Sequence, residues 1–278
     1  MGIFNGWVIV SDIDGTLLPN GTMCPSDETL NAIQNWRNEG GKFVLASGRY
    51  LGSTLKVHRN IALDTPMIYN NGACIYLPES NDFLSLKTLG TEITSVIDDL
   101  VDTVPYCGVA GYSKDAIYTV RENPTLLRHY ERQQITPLRT DDYSLFCKVL
   151  ITVDAHEMSV LREALSKKPY FQQFQFTQST AEFYEITPIG VTKACQLDTV
   201  CSLLNCQKDH LITVGDNEND VSMLQSSKFS FAVANATDAA KAAARFVTKA
   251  RGDSESAIGE VIAQMTKIIT GRELYGQI

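Results

Sequence analysis

The chain has 278 residues, 44% of them hydrophobic, with a net charge of −8 at pH 7 and a sequence pI near 5.1. That length and apolar content suffice for one large domain or two modest ones and argue against a disordered chain. The acidic balance argues against binding that rests on nucleic-acid phosphates, which requires dense Lys and Arg. Residues 1–6 carry no Lys or Arg and lead into no long apolar stretch, so neither a signal peptide nor a membrane span is expected. Seven scattered cysteines without a CxxC pair point to a reduced, cytoplasmic setting.

In chain order, residues 7–11 form a short run rich in Val and Ile, predicted to be a fully buried strand of a parallel sheet that leads straight into Asp12. Ser26 or Asp27 is expected to cap a helix reaching Gly40, with Leu30, Ile33 and Trp36 at helical spacing and the Gly40-Gly41 pair as its stop. A strand over 42–46, a helix over 50–58 and a strand over 67–69 continue a βαβ alternation, the pattern of a doubly wound sheet, and Asn70-Asn71-Gly72 has turn chemistry. Beyond Phe83 the rhythm changes. A helix over 91–104, strands over 109–112 and 116–120, a charged stretch to Asp142, then strands over 146–153 and 171–176 around a helix over 156–166 predict an inserted α+β unit. From Thr192 the strand-helix alternation returns, with strands over 211–214 and 229–233. It closes on a helix whose stripe of Ala257, Ile258, Val261, Ile262, Met265, Ile268 and Ile269 repeats every 3.6 residues.

Two acidic clusters follow predicted strands. The run Asp12-Ile13-Asp14-Gly15-Thr16 puts two carboxylates where open α/β sheets bind ligands, and Gly15 allows a turn that brings backbone N–H groups near an anion. The same run also reads as a solvated strand-to-loop corner. An EF-hand fails on spacing, since Thr16, Leu17 and Met23 stand where acid, glycine and glutamate are required. The run Gly215-Asp216-Asn217-Glu218-Asn219-Asp220 follows the strand over 211–214, so both clusters should meet at one sheet edge. Asp216 is expected to cap the next helix, which would put Asp216, Asn219 and Asp220 on one face. Such carboxylates suit magnesium, although an acidic first turn favoured by the helix dipole is the alternative. Ser47-Gly48-Arg49 would turn a hydroxyl and backbone donors to the same edge, although a Ser-Gly turn after a strand is commonplace, and Lys193 alone reads as solvated surface charge.

Taken in order, DxDGT after the first strand, Ser47 after the second, Lys193, and GDxxND after a later strand resemble the haloacid dehalogenase-like (HAD) superfamily of phosphohydrolases. Tyr184-Glu185-Ile186-Thr187-Pro188, leading into Gly190-Val191-Thr192-Lys193, is similar to the Cof-type branch, with Ala194 departing from its frequent glycine. The resemblance implies a doubly wound, mainly parallel Rossmann-like α/β core over residues 1–83 and 187–278, with an inserted α+β cap over 84–186 that sets substrate specificity. It implies a Mg2+-dependent phosphatase acting on small phosphorylated metabolites, sugar phosphates first. Asp12 would be the nucleophile, forming an aspartyl-phosphate, and Asp14 the general acid and base, its protonation set apart from that of Asp12 by magnesium on Asp12 and burial of Asp14. Asp12, the Asp14 backbone carbonyl and Asp216 would hold the metal. Ser47, Gly48, Lys193 and Asn219 would bind phosphate, supported by Asp220.

Within residues 84–186, 14 acidic side chains against 10 basic ones disfavour large polyanions. Arg121, Arg128, His129, Arg132, Arg139 and Lys148 are the candidates there for polar substrate contacts, although each reads more readily as an ordinary solvated residue. A sugar phosphomutase of the same superfamily and a catalytically silent module with this fold are the competing expectations. The joint presence of Asp12, Asp14, Lys193 and Asp216 speaks against the silent one.

Overall fold

The computed structural model describes residues 2–19 and 21–271, so residues 272–278, expected to end the core, lie outside the described residues. The chain opens with β1 (Val8–Ser11), α1 (Asp27–Asn38), β2 (Lys42–Ala46), α2 (Leu51–Asn60) and β3 (Met67–Tyr69). Then come β4 (Cys74–Leu77), β5 (Asp82–Leu86), α3 (Ile93–Thr103), β6 (Gly108–Tyr112), β7 (Ile117–Arg121), α4 (Pro124–Gln133), β8 (Lys148–Thr152), α5 (Met158–Ser166), β9 (Phe174–Gln178) and β10 (Phe183–Pro188). It finishes with α6 (Leu197–Leu203), β11 (Leu211–Gly215), α7 (Val221–Gln225), β12 (Phe229–Ala232), α8 (Asp238–Ala243), β13 (Phe246–Val247) and α9 (Ala257–Ile269).

Eight strands form one sheet in the order β13-β12-β11-β1-β2-β3-β4-β5, parallel from β13 to β3 and antiparallel at the β3-β4-β5 edge. The alternation of side chains along a strand loads both of its faces. Ile9 and Leu45 join one cluster with Ile33 and Trp36 of α1 and Ile258, Val261 and Met265 of α9. Val8, Val10 and Val44 point the other way, against Leu197 and Val200 of α6. Two covered faces explain why β1 and β2 read as continuous apolar runs. α1 is started by Ser26, whose side chain accepts from the Thr29 N–H, and Trp36 anchors it. That indole is fully buried, stacks on Phe4 at 4.1 Å and donates to the Lys42 carbonyl at 3.0 Å.

The second sheet is wholly antiparallel, in the order β7-β6-β8-β10-β9. One face packs on α3 and α5 through Ile97, Leu100, Leu161 and Leu165. The other carries Tyr112, Leu150 and α4, with Tyr50 of the first unit against it. The chain leaves the first sheet after Leu86 and re-enters its alternation after Pro188.

Three elements differ from expectation. The β4–β5 hairpin was unforeseen, because β5 alternates exposed and half-exposed residues and carries a weak hydrophobic pattern. The charged stretch after β7 contains α4, started by Asn123 as N-cap and Pro124 in its first turn, with an inward face of only Thr125, Leu126 and Tyr130. The strand expected over 171–176 begins only at Phe174, because Pro169 opens a single 3-10 turn over 169–172.

Candidate active site

Adjacent parallel strands β1 and β11 deliver both acidic clusters to the same carboxyl edge, where the Asp12 N–H donates to the Val214 carbonyl at 2.9 Å. Gly15 turns the first loop at φ +77°, and a Cβ there would run into the Asp216 carboxylate. Thr16 donates its hydroxyl to Asp216 Oδ1 at 3.0 Å, tying the loops together. The helix after β11 is capped by Asn217, not by Asp216 as expected, with Asp220 closing the reciprocal capping box. Asp216 therefore stands before the helical turn, and its side chain is turned toward Thr16 and Gly15.

Lys193 lies in a single 3-10 turn over Lys193–Gln196 and is 1% exposed. Its ammonium is shared by Asp12 Oδ1 at 2.5 Å and Asp220 Oδ1 at 2.7 Å. The other Asp220 oxygen accepts the backbone N–H groups of Asp216 and Asn217, at 3.0 and 3.1 Å. Burial alone would lower the Lys193 pKa, but the two carboxylates outweigh it and hold the ammonium charged. Burial pushes Asp12 up against the pull of Lys193, and the Asp220 and Asp216 charges add to the rise. Burial, with the nearby Asp220 charge, raises Asp216 to about 6.

Oxygens of Asp12, Asp216 and Asp220 all lie within 4.8 Å of one another. One ammonium faces three carboxylates, and Asp220 is engaged on both oxygens. The surplus negative charge sits on Asp12 and Asp216, a hard oxygen donor set that fits a divalent cation such as Mg2+.

Asp14 corrects one expectation. It is not buried: its side chain is 59% exposed and gripped in a bidentate pair by Arg49, at 2.7 Å from Nε to Oδ2 and 2.6 Å from Nη2 to Oδ1. Arg49, only 9% exposed, also donates to Ser53 Oγ at 3.2 Å. Ser47 is buried at the end of β2, and its hydroxyl oxygen accepts the Arg49 N–H at 3.1 Å. Asn219 donates to Asn71 Oδ1 at 3.1 Å.

The floor of a cavity of about 680 Å³ is formed by Asp12, Asp14, Ser47, Gly48, Asp216 and Asn219. Tyr112, His129, Lys148, Phe183 and Glu185 from the second sheet and α4 line its roof. Of the six basic candidates in the insertion, His129, Arg132 and Lys148 line this cavity. The others do structural work: Arg121 donates to the Leu100, Val101 and Val104 carbonyls at the end of α3, while Arg128 and Arg139 pair with Glu182 and Glu122 at the surface. Burial, reinforced by the Lys148 and Arg132 charges, lowers the His129 pKa to about 4, so the roof presents a neutral imidazole at pH 7.

Sequence reasoning missed the braces behind the loop that follows β1. Asn235 donates to the Gly15 carbonyl at 2.8 Å and accepts the Gly252 N–H at 2.7 Å. A Cβ on Gly252 would meet the Gly15 and Thr16 carbonyls. An isolated Asn and Gly in separate loops carry no local signal of this.

Residues 9–262 match the family of haloacid dehalogenase-like hydrolases, and the chain belongs to that family, in its Cof-type branch. It is 24% identical over 249 residues to a 5-amino-6-(5-phospho-D-ribitylamino)uracil phosphatase of Bacillus subtilis, covering 87% of this chain and 92% of that protein. It is 28% identical over 261 residues to a pyridoxal phosphate phosphatase of Escherichia coli, covering 86% and 92%. A haloacid dehalogenase-like hydrolase from Bacteroides thetaiotaomicron has the same fold, with a TM-score of 0.81 at 22% identity over 93% of this chain and 99% of that one. Among the described residues no helix is long and apolar enough to cross a membrane.

Proposed function

We propose that this protein is a phosphatase that hydrolyses small phosphorylated metabolites, sugar phosphates foremost, through an aspartyl-phosphate on Asp12, and that residues 84–186 act as the cap over the core of residues 1–83 and 187–278. The observation that carries this reading is the pairing of Asp12 with Lys193 and Asp216 at the carboxyl edge of β1 and β11, beneath a cavity of about 680 Å³. The relatives' activities on phosphorylated ribityl and pyridoxal compounds support the reaction class.

Asp12 is the nucleophile: a carboxylate oxygen attacks phosphorus while the bond to the leaving oxygen breaks. Asp14 lines the cavity, and once released from Arg49 it takes a proton from solvent and passes it to that leaving oxygen as the bond to phosphorus breaks. The carboxylate so formed then takes a proton from water as the water attacks the phospho-aspartate, which frees inorganic phosphate and restores Asp12. Lys193 fixes the Asp12 carboxylate, while Ser47 and the backbone around Gly48 supply donors to the phosphoryl oxygens, with Asn219 at the same rim. Lys193 itself lies behind Asp12, and Asp220 holds it there. Asp12, the Asp14 carbonyl and Asp216 would hold Mg2+, which supplies charge neutralisation to the phosphoryl oxygens when bound.

The test is phosphate release from p-nitrophenyl phosphate and a panel of sugar phosphates and other small phosphate esters. Wild type with Mg2+ is expected to turn over, EDTA to stop it, and Asp12→Asn to lower kcat at least about 1,000-fold. Full activity in Asp12→Asn, or no response to EDTA, would sink the mechanism.

A further inference from the structure

We propose that Lys148 is a positioning residue that couples the seating of the second sheet to the grip on phosphate, acting through the Gly48 peptide on the Ser47 hydroxyl. The inference rests on the phosphatase reading above. Lys148 begins β8 and is 3% exposed, so its charge is removed from water and needs partners. Its ammonium donates to the Gly48 carbonyl at 2.8 Å, stands 3.5 Å from Glu185 Oε1 and lies 4.3 Å from the centre of the Tyr112 ring. Alternation along β8 and β10, together with the antiparallel register Glu185↔Leu150, turns Lys148 and Glu185 to the cavity side of the sheet.

The peptide unit between Gly48 and Arg49 has two ends. Its carbonyl is held by Lys148, and its N–H donates to Ser47 Oγ. With the Ser47 oxygen already accepting, the hydroxyl hydrogen is free to be donated, and Ser47 lines the cavity where a phosphoryl oxygen would receive it. A rotated Gly48 peptide would withdraw the N–H and let the hydroxyl turn elsewhere.

The rest of the ring closes on the same groups. Glu185 accepts from Ser179 at 3.1 Å and from Asn71 Nδ2 at 2.5 Å. Asn71 Oδ1 accepts from Asn219, and it fills the space that a Cβ on Gly48 would need. Asn71 itself adopts φ +55°, a left-handed conformation that asparagine tolerates. Both rims of the phosphate site, at Gly48 and Asn219, therefore report to one carboxylate on the second sheet. This assigns Lys148, a candidate for touching substrate, a role that does not depend on which leaving group is bound.

Because removing one member of a buried ion pair strands the other, the test uses the paired variant Lys148→Met/Glu185→Gln beside Lys148→Arg. Kinetics on p-nitrophenyl phosphate and on a sugar phosphate are compared with binding of inorganic phosphate by calorimetry. The paired variant is expected to lose about 10–100-fold in kcat/KM by the same factor on both esters and to bind phosphate correspondingly less tightly, while Lys148→Arg, which keeps the charge and the donor, is expected to lose less. In a Ser47→Ala background the paired change should cost clearly less than in wild type, since the Gly48 route is already cut and only the route through Asn71 to Asn219 is left. Unchanged phosphate binding, a loss confined to one ester, or full additivity with Ser47→Ala would overturn the proposal. A wild-type protein that binds phosphate more tightly than the variant yet turns over no ester would defeat the phosphatase reading and leave the coupling standing.

Discussion

Gly15 and Asp216 illustrate how single residues decide the site. The loop after β1 reverses at Gly15, three residues past Asp12, at φ +77°, with the absent Cβ facing a carboxylate. Gly15→Ala would pay twice, once in backbone strain of about 1–3 kcal/mol and once in displacing Asp216. Its urea midpoint is expected to fall by an amount equivalent to about 1–3 kcal/mol, and kcat by more than tenfold. A variant of wild-type stability and activity would show that neither the turn nor the Asp216 position is constrained. Asp14 is the complementary case: adjacent in sequence to the same turn, it is exposed, and Arg49 rather than burial determines where its carboxylate rests.

At the scale of elements, the core is assembled from helices whose starts are written in their first residues. Ser26 accepts the Thr29 N–H, and Thr29 in turn donates to Ser256, which precedes α9. One cap thus ties α1 to α9, whose stripe of Ile258, Val261 and Met265 packs on the same cluster as Ile33 and Trp36. Ser26→Ala is expected to cost about 1 kcal/mol in chemical denaturation, with activity at 25 °C unchanged because the site lies at the strand ends. A loss above about 3 kcal/mol would mean that the Ser26–Thr29–Ser256 chain, rather than the cap alone, carries the contact.

For the whole molecule, the second sheet is a roof. It faces the carboxyl edge of the first with a surface bearing Tyr112, Lys148 and Glu185, and the space left between is about 680 Å³. That volume matches a small ester and is far smaller than a folded phosphoprotein. We expect kcat/KM for a phosphorylated protein to lie on the order of 100-fold or more below that for a small phosphate ester, measured by phosphate release. Comparable rates would require the roof to move well away from its position here. The first sheet has apolar clusters on both faces and meets the cavity only at its carboxyl edge, while the second packs its far face on α3 and α5.

The sequence by itself determined the doubly wound core, the chemical groups at its edge and their order along the chain. These are local properties: apolar runs specify buried strands, Ser26 and Gly40 delimit a helix, and a carboxylate that follows a buried strand must emerge at its end. Arg49 against Asp14, Lys148 against Gly48, and Asn235 with Gly252 behind Gly15 were decided only by tertiary structure. Those contacts join residues 35, 100 and more than 200 positions apart, so they exist only once the sheets are stacked. The same holds for the protonation of Asp12, which depends less on its own neighbours in sequence than on burial and on a lysine 181 residues away.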